Sequence, residues 1–210
     1  MPASRLSARR LLGFDRSGPP PPQTAGDAPL RPWTIPNAIG YARAALIPAI
    51  LILAYSSRTG TGAGAGICFF IAAGGDYADG IAARITGQYS RLGSILDPVL
   101  DRLLAVSGLA ICWSFELLPR WLVAIVVARE ALMLALGQAW VRRGLALRIN
   151  WPGRIAVGPT MFGIWLALIG VRAVAVGFLC AGISLALVAT VLYVRDGRRE
   201  VRDHRLSSSA

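Results

Sequence analysis

The sequence predicts an all-α integral membrane protein with six transmembrane helices and both termini in the cytoplasm. Three observations carry that expectation. The 210 residues are 55% hydrophobic and only 16% charged, where soluble domains carry about 25% charged side chains. Apolar runs of the length a bilayer demands, about 20 residues each, recur six times between two polar ends. Arginine is distributed lopsidedly across the intervening loops.

Residues 1–32 are polar, Arg-containing and Pro-rich (GPPPPQ at 18–23), a composition that reads as a disordered cytoplasmic tail. SARRLLGF near the start is followed by DRSGPPPP. No apolar stretch follows it, so no cleaved signal is expected. A catalytic transmembrane domain is expected over 33–195, with spans at about 38–56, 62–84, 93–115, 118–141, 155–171 and 173–194. The second span is rich in Gly and Ala (GTGAGAG), which permits close helix approach. Pro98 predicts a local kink in the third span. The fourth holds Arg129 and Glu130 side by side. Adjacent residues point about 100° apart on a helix, so they need not pair with each other, and a buried structural partner for each is expected rather than a substrate role. The fifth and sixth spans meet at a tight turn over 170–172. Residues 196–210 form a basic cytoplasmic tail whose arginines suit anionic lipid headgroups.

All 22 basic residues are Arg. With cytoplasmic termini, sixteen fall in inner segments, three (Arg58, Arg120, Arg172) in outer loops and three (Arg43, Arg102, Arg129) inside spans. The positive-inside rule therefore places the termini and the loop joining spans two and three in the cytoplasm. The expected location is the cell membrane, multi-pass. Most Trp residues fall near span ends, as interfacial belts require. The net charge of +11 does not mark a nucleic-acid binder, because no basic patch interleaves with aromatics on a soluble domain. Cys68, Cys112 and Cys180 each sit in an apolar run and form no metal or disulfide pattern. The single His, His204, is in the C-terminal tail.

Four of the chain's eleven acidic residues flank one cytoplasmic loop. DYADGIAAR places Asp76 and Asp79 three apart, and GSILDPVLD places Asp97 and Asp101 four apart. Each pair shares a helix face, and a short loop makes spans two and three an antiparallel hairpin that brings the pairs to one depth. Carboxylates gathered at low dielectric repel one another. Hard divalent cations, Mg²⁺ or Mn²⁺, are the remedy that suits oxygen ligands. Four carboxylates fit a two-metal site for phosphoryl displacement. Gly80 and Gly93 leave room beside it for a base or diphosphate, and Arg84 offers a fork of donors to phosphate oxygens. One pair taken alone could instead serve as a structural partner for Arg84 or Arg102.

Residues 76–101 read D-x2-D-G-x2-A-R-x8-G-x3-D-x3-D. This resembles, without departure, the signature of the CDP-alcohol phosphotransferase family, and WTIPNAIGYARAALIP (33–48) resembles that family's entry to the first helix. The resemblance covers about 33–195 and implies a homodimeric membrane enzyme. Its implied reaction moves the phosphatidyl group of CDP-diacylglycerol to an alcohol, with release of CMP. Position by position it implies a dimetal centre on Asp76, Asp79, Asp97 and Asp101, and a CDP pocket lined by Pro36, Asn37, Gly80, Ala83, Arg84, Ser90 and Gly93. It also implies that Asp101 is the base for the acceptor hydroxyl. A chain with no Lys and one tail His independently favours a carboxylate in that role.

The acceptor expected first is glycerol 3-phosphate, giving phosphatidylglycerophosphate; phosphatidylglycerol, giving cardiolipin, is second. Arg91 and Arg154 are the candidates for the acceptor's phosphate. The ordinary cytoplasmic excess of Arg accounts for Arg91, Arg142, Arg143, Arg148 and Arg154 equally well. NWPGRIAVG (150–158) resembles the Gly-Lys opening of the family's fifth helix, but Arg154 stands where Lys is usual, and the next basic residue and Thr are missing. A reading from another class is a carboxylate-lined ion transporter. It predicts acidic groups spread through the bilayer and an inverted repeat, whereas these cluster at one edge.

Overall fold

This computed structural model describes residues 21–142 and 151–207. Residues 1–20 of the expected N-terminal tail, residues 143–150 with Arg143 and Arg148, and 208–210 lie outside the described residues. Among those described there are six α-helices: α1 (Ile35–Ser56), α2 (Ala63–Thr86), α3 (Arg91–Ser114), α4 (Arg120–Arg142), α5 (Trp151–Leu168) and α6 (Arg172–Ser207). A single 3-10 turn at Pro22–Thr24 precedes them. Each expected span has its helix, with ends displaced by a few residues. The exceptions are α5, which opens earlier, and α6, which continues to Ser207 through the segment set aside as a tail. Pro98 lies inside α3 without ending it.

Three of these helices contain stretches long and apolar enough to cross a membrane: Ile35–Ser56, Arg120–Ala139 and Arg172–Arg195. A shorter apolar stretch is Ile155–Leu168. The helices α2 and α3 carry the aspartates and several Arg and Gly residues, which is why composition alone does not mark them. Many large apolar side chains point outward, among them Ile52, Phe70, Val106, Trp121 and Val191. That many exposed apolar groups would be a liability in water.

The chain divides into two compact units, Met1–Arg58 with Gly62–Gly108, and Thr59–Thr61 with Leu109–Ala210. In the first unit, α1 starts at Thr34, whose side chain accepts from Asn37 N at 3.3 Å. Such a cap contributes about 1 kcal/mol. The buried residues of α1 are Asn37, Gly40, Arg43, Ile47, Ile50 and Ala54, spaced by threes and fours on one face. That face packs along α2, which buries Ala65, Gly66, Phe69, Ala72 and Asp79. Leu100 and Leu104 of α3 are buried too, and Leu100 approaches Gly40. The helix α2 ends at Gly87 in a left-handed turn, so only Gly87–Ser90 separate it from α3.

In the second unit, α5 and α6 pack closely after a turn at Gly170. Gly163 lies against Ala175 and Leu179, and Gly182 against Thr160. Such small-residue contacts are how helices associate where lipid removes the hydrophobic drive. Phe162 and Phe178 meet edge-on, with ring centres 4.8 Å apart. Arg129 and Glu130 are ion-paired to each other through Arg129 Nη1 and Glu130 Oε1. Each is thus the other's structural partner, because both side chains are long enough to bend back across the angle between them. Arg129 Nε is buried with no partner among the described residues.

Candidate active site

The first unit contains the whole aspartate constellation, and its centre is a residue of α1. Arg43 is buried, with a side chain 3% exposed. Its Nε donates to Ala72 O at 2.9 Å. Its Nη1 donates to Asp79 Oδ2 at 3.0 Å and to Asp76 Oδ1 at 3.4 Å. Its Nη2 donates to Asp101 Oδ1 at 2.6 Å. One guanidinium thus joins a carboxylate pair on α2 to a carboxylate on α3, in the planar fork geometry that Arg alone provides. Asp97 lies within electrostatic range of Arg43 and of the other three aspartates. Three of the four aspartates, from both helices, thus converge on one guanidinium.

Arg43 was not among the partners weighed from sequence, which were divalent cations or, for one pair alone, Arg84 or Arg102. Arg102 is exposed on α3, and Arg84 folds back over Gly80, with Nη1 3.5 Å from where a Gly80 Cβ would lie. Arg43 does the neutralising because it is on the same α1 face as Asn37 and Gly40, and that face packs on α2. A signal was present in the sequence: an arginine deep in an apolar span is costly and must have an acidic or carbonyl partner. The stem of Arg43 crosses α2 at Gly75, where a Cβ would come within 2.7 Å of its Cγ and Cδ. Neither Arg43 nor Gly75 belongs to the site predicted from sequence.

Burial differs across the constellation. Asp79 is 6% exposed, while Asp76 and Asp101 are 47% and 42% exposed. Two carboxylates therefore open outward from a closed floor made by Arg43 and Asp79.

The residues at the entry to α1 and in the α2–α3 loop form a second, linked network. Asn37 is buried; its Nδ2 donates to Arg31 O and Pro32 O, and its Oδ1 accepts from Ser90 Oγ at 3.0 Å. Ser90 Oγ in turn accepts from Gly93 N at 3.0 Å. Gln88 Oε1 accepts from Ile35 N at 2.9 Å, and Leu30 O accepts from Leu92 N. Residues 30–32, placed in the disordered tail by composition, are tied down here, because their carbonyls are the acceptors that Asn37 and Leu92 need. A Cβ at Gly93 would lie 2.8 Å from Asn37 Oδ1 and 3.2 Å from Ser90 Oγ. Asn37, Ser90 and Gly93 thus brace one another. Pro36 is half-buried beside them at the start of α1; Ala83 is half-buried on α2, as is Arg91 at the start of α3. Arg154 lies in the first turn of α5, and its side chain is outside the described residues.

A family model described as CDP-alcohol phosphatidyltransferase matches residues 33–193. The chain belongs to the CDP-alcohol phosphatidyltransferase family. That span contains the Arg43 centre, Asn37, Ser90 and Gly93, and every α-helix but the far end of α6. Among relatives, a Streptomyces coelicolor protein named cardiolipin synthase (CMP-forming) is 36% identical over 186 residues, covering 82% of this chain and 86% of the relative. A Bacillus subtilis protein named CDP-diacylglycerol–glycerol-3-phosphate 3-phosphatidyltransferase is 32% identical over 154 residues, 67% of this chain and 76% of that protein. A Mycobacterium tuberculosis protein, provisionally named cardiolipin synthase, is 34% identical over 142 residues, covering 67% of this chain and 66% of the relative's own length. The chain is thus a membrane-associated member of a family of phosphatidyltransferases, which generally depend on divalent metal.

The donor set suits such a metal. The converging groups are carboxylates, hard oxygen ligands of the kind Mg²⁺ and Mn²⁺ prefer. Among the described residues no three acidic, His or Cys side chains are already gathered as a cage. Arg43 draws one oxygen from each of three aspartates, leaving the second oxygen of each and both of Asp97 unclaimed by it.

Proposed function

We propose that this protein is an integral membrane phosphatidyltransferase that moves the phosphatidyl group of CDP-diacylglycerol to an alcohol, releasing CMP. The observation that carries the reading is the convergence of Asp76, Asp79 and Asp101 on one buried guanidinium, with Asp97 in range, inside an apolar chain of this family. Bound divalent cations, two in our reading, would be held by the four aspartates and would supply positive charge to the substrate's diphosphate. Gly80, Ala83 and Arg84 on α2 line the nucleotide side, with Arg84 offering its fork to a phosphate. Pro36, Asn37, Ser90 and Gly93 complete that pocket, the last three by bracing the loop that bounds it.

Asp101 is the general base. Its Oδ1 is held by Arg43 Nη2 at 2.6 Å, which leaves Oδ2 to receive the acceptor's hydroxyl proton. The acceptor oxygen then bonds to the phosphorus that carries diacylglycerol. The bond from that phosphorus to the bridging oxygen breaks, and CMP leaves with its electron pair.

Glycerol 3-phosphate is the first acceptor in this reading, with Arg91 as a donor to its phosphate. Phosphatidylglycerol is the second, favoured by the 36% identity to the Streptomyces protein across most of both chains. Six spans follow from the apolar run lengths, and cytoplasmic termini and a site facing the cytoplasm follow from the arginine asymmetry; the family resemblance implies a homodimer. The test is purified protein supplied with CDP-diacylglycerol and a panel of acceptors, following CMP release and lipid product. Phosphatidylglycerophosphate formed with glycerol 3-phosphate supports the first acceptor, and cardiolipin formed only with phosphatidylglycerol supports the second. CMP released with neither, under any divalent cation, overturns the reaction.

A further inference from the structure

We propose that Arg43 is a positioning residue of this site: a fixed internal cation that sets the register of carboxylates from two helices and moderates their charge, seated by Gly75. The inference rests on the phosphatidyltransferase reading above but adds a residue that the aspartate signature does not contain.

Three features separate Arg43 from an ordinary ion pair. It is buried, so a charge there persists only with partners on hand. It bonds across helices: Ala72 O, Asp76 and Asp79 belong to α2, and Asp101 belongs to α3. Its stem runs where only glycine leaves room, at Gly75. Together these fix where the carboxylates stand relative to one another. Preorganisation of that kind lowers the reorganisation needed during reaction.

Charge has a separate consequence. Four ionised aspartates and one guanidinium sum to −3, whereas the aspartates alone sum to −4. Removing the arginine should therefore strengthen divalent-cation binding while harming turnover, because attraction rises as geometry is lost. A residue that only supports the fold would shift both in the same direction. Lysine separates the two effects: its ammonium keeps the charge, but a point donor cannot reproduce the planar fork that spans both helices.

The experiment uses the full-length protein in detergent. Mn²⁺ affinity is measured by electron paramagnetic resonance, alongside kcat for CMP release, in wild type, Arg43→Gln and Arg43→Lys. Asp79→Asn is the control for metal placement. For Arg43→Gln, Mn²⁺ should bind at least about threefold more tightly while kcat falls by about tenfold or more. For Arg43→Lys, Mn²⁺ affinity should return to within about twofold of wild type, with kcat still depressed by about tenfold. Unchanged or weaker Mn²⁺ binding in Arg43→Gln overturns the proposal, as does wild-type kcat in Arg43→Lys. Should Arg43→Gln fail to fold, the lysine variant decides alone by the same criteria. If wild type binds no Mn²⁺, or Asp79→Asn leaves its binding unaltered, the metal-site reading itself fails, an outcome distinct from failure of the Arg43 role.

Discussion

Alanine at Gly75 tests the seating of Arg43 most directly. A Cβ there would sit 2.7 Å from both Cγ and Cδ of Arg43; reaching ordinary contact at 3.4 Å requires the stem to move by about 0.7 Å. The stem cannot swing aside easily, since its backbone end is fixed in α1 and its far end makes four hydrogen bonds. Carried to the guanidinium, that shift would lengthen the 3.0 Å bond to Asp79 to about 3.7 Å, beyond hydrogen-bond range. A bond to a charged group contributes about 1.5–3 kcal/mol, and overpacking costs about 1–3 kcal/mol more. Against these stands the helix-propensity gain of Gly→Ala, about 1 kcal/mol, so the loss wins. A misplacement near 1 Å can lower activity by about 100-fold. The adjacent Gly74 is the internal control, because nothing lies within 4 Å of its Cβ position. Gly74→Ala should keep activity and gain up to about 1 kcal/mol. The assay is initial rate of CMP release plus thermal melting in detergent for both variants. Equal kcat in Gly75→Ala and Gly74→Ala would refute the seating argument.

Asp76→Asn, Asp79→Asn and Asp97→Asn should each abolish turnover while the protein still inserts and folds, and chelation should silence wild type; full activity in two variants would remove the dimetal assignment. Gly93→Ala should push Asn37 and Ser90 apart and raise the KM for CDP-diacylglycerol, by about tenfold if about 1.4 kcal/mol of binding is lost, measured by substrate titration. A cysteine at Gln88, in a background without the native cysteines, should react with an impermeant reagent only after the inner leaflet is breached. Labelling in intact cells would reverse the topology.

Much of this protein was legible in sequence. The six helices follow from the recurrence of apolar runs of about 20 residues, although only three of them contain stretches long and apolar enough to cross a membrane. The aspartate spacings of three and four put each pair on one helix face, and a short loop, eight residues between the expected spans and four (Gly87–Ser90) between the helices, leaves the two helices little freedom. Local periodicity and chain connectivity are properties of the sequence itself, so they could be read directly. What the tertiary structure decided was the charge partner. Arg43 lies 33 residues before Asp76 and 58 before Asp101, and no local rule links those positions. Arg43 takes the role because α1 packs its Asn37–Gly40–Arg43 face onto α2. The need for glycine at position 75 is likewise a non-local fact, since only the crossing of two helices fills the space where its side chain would be.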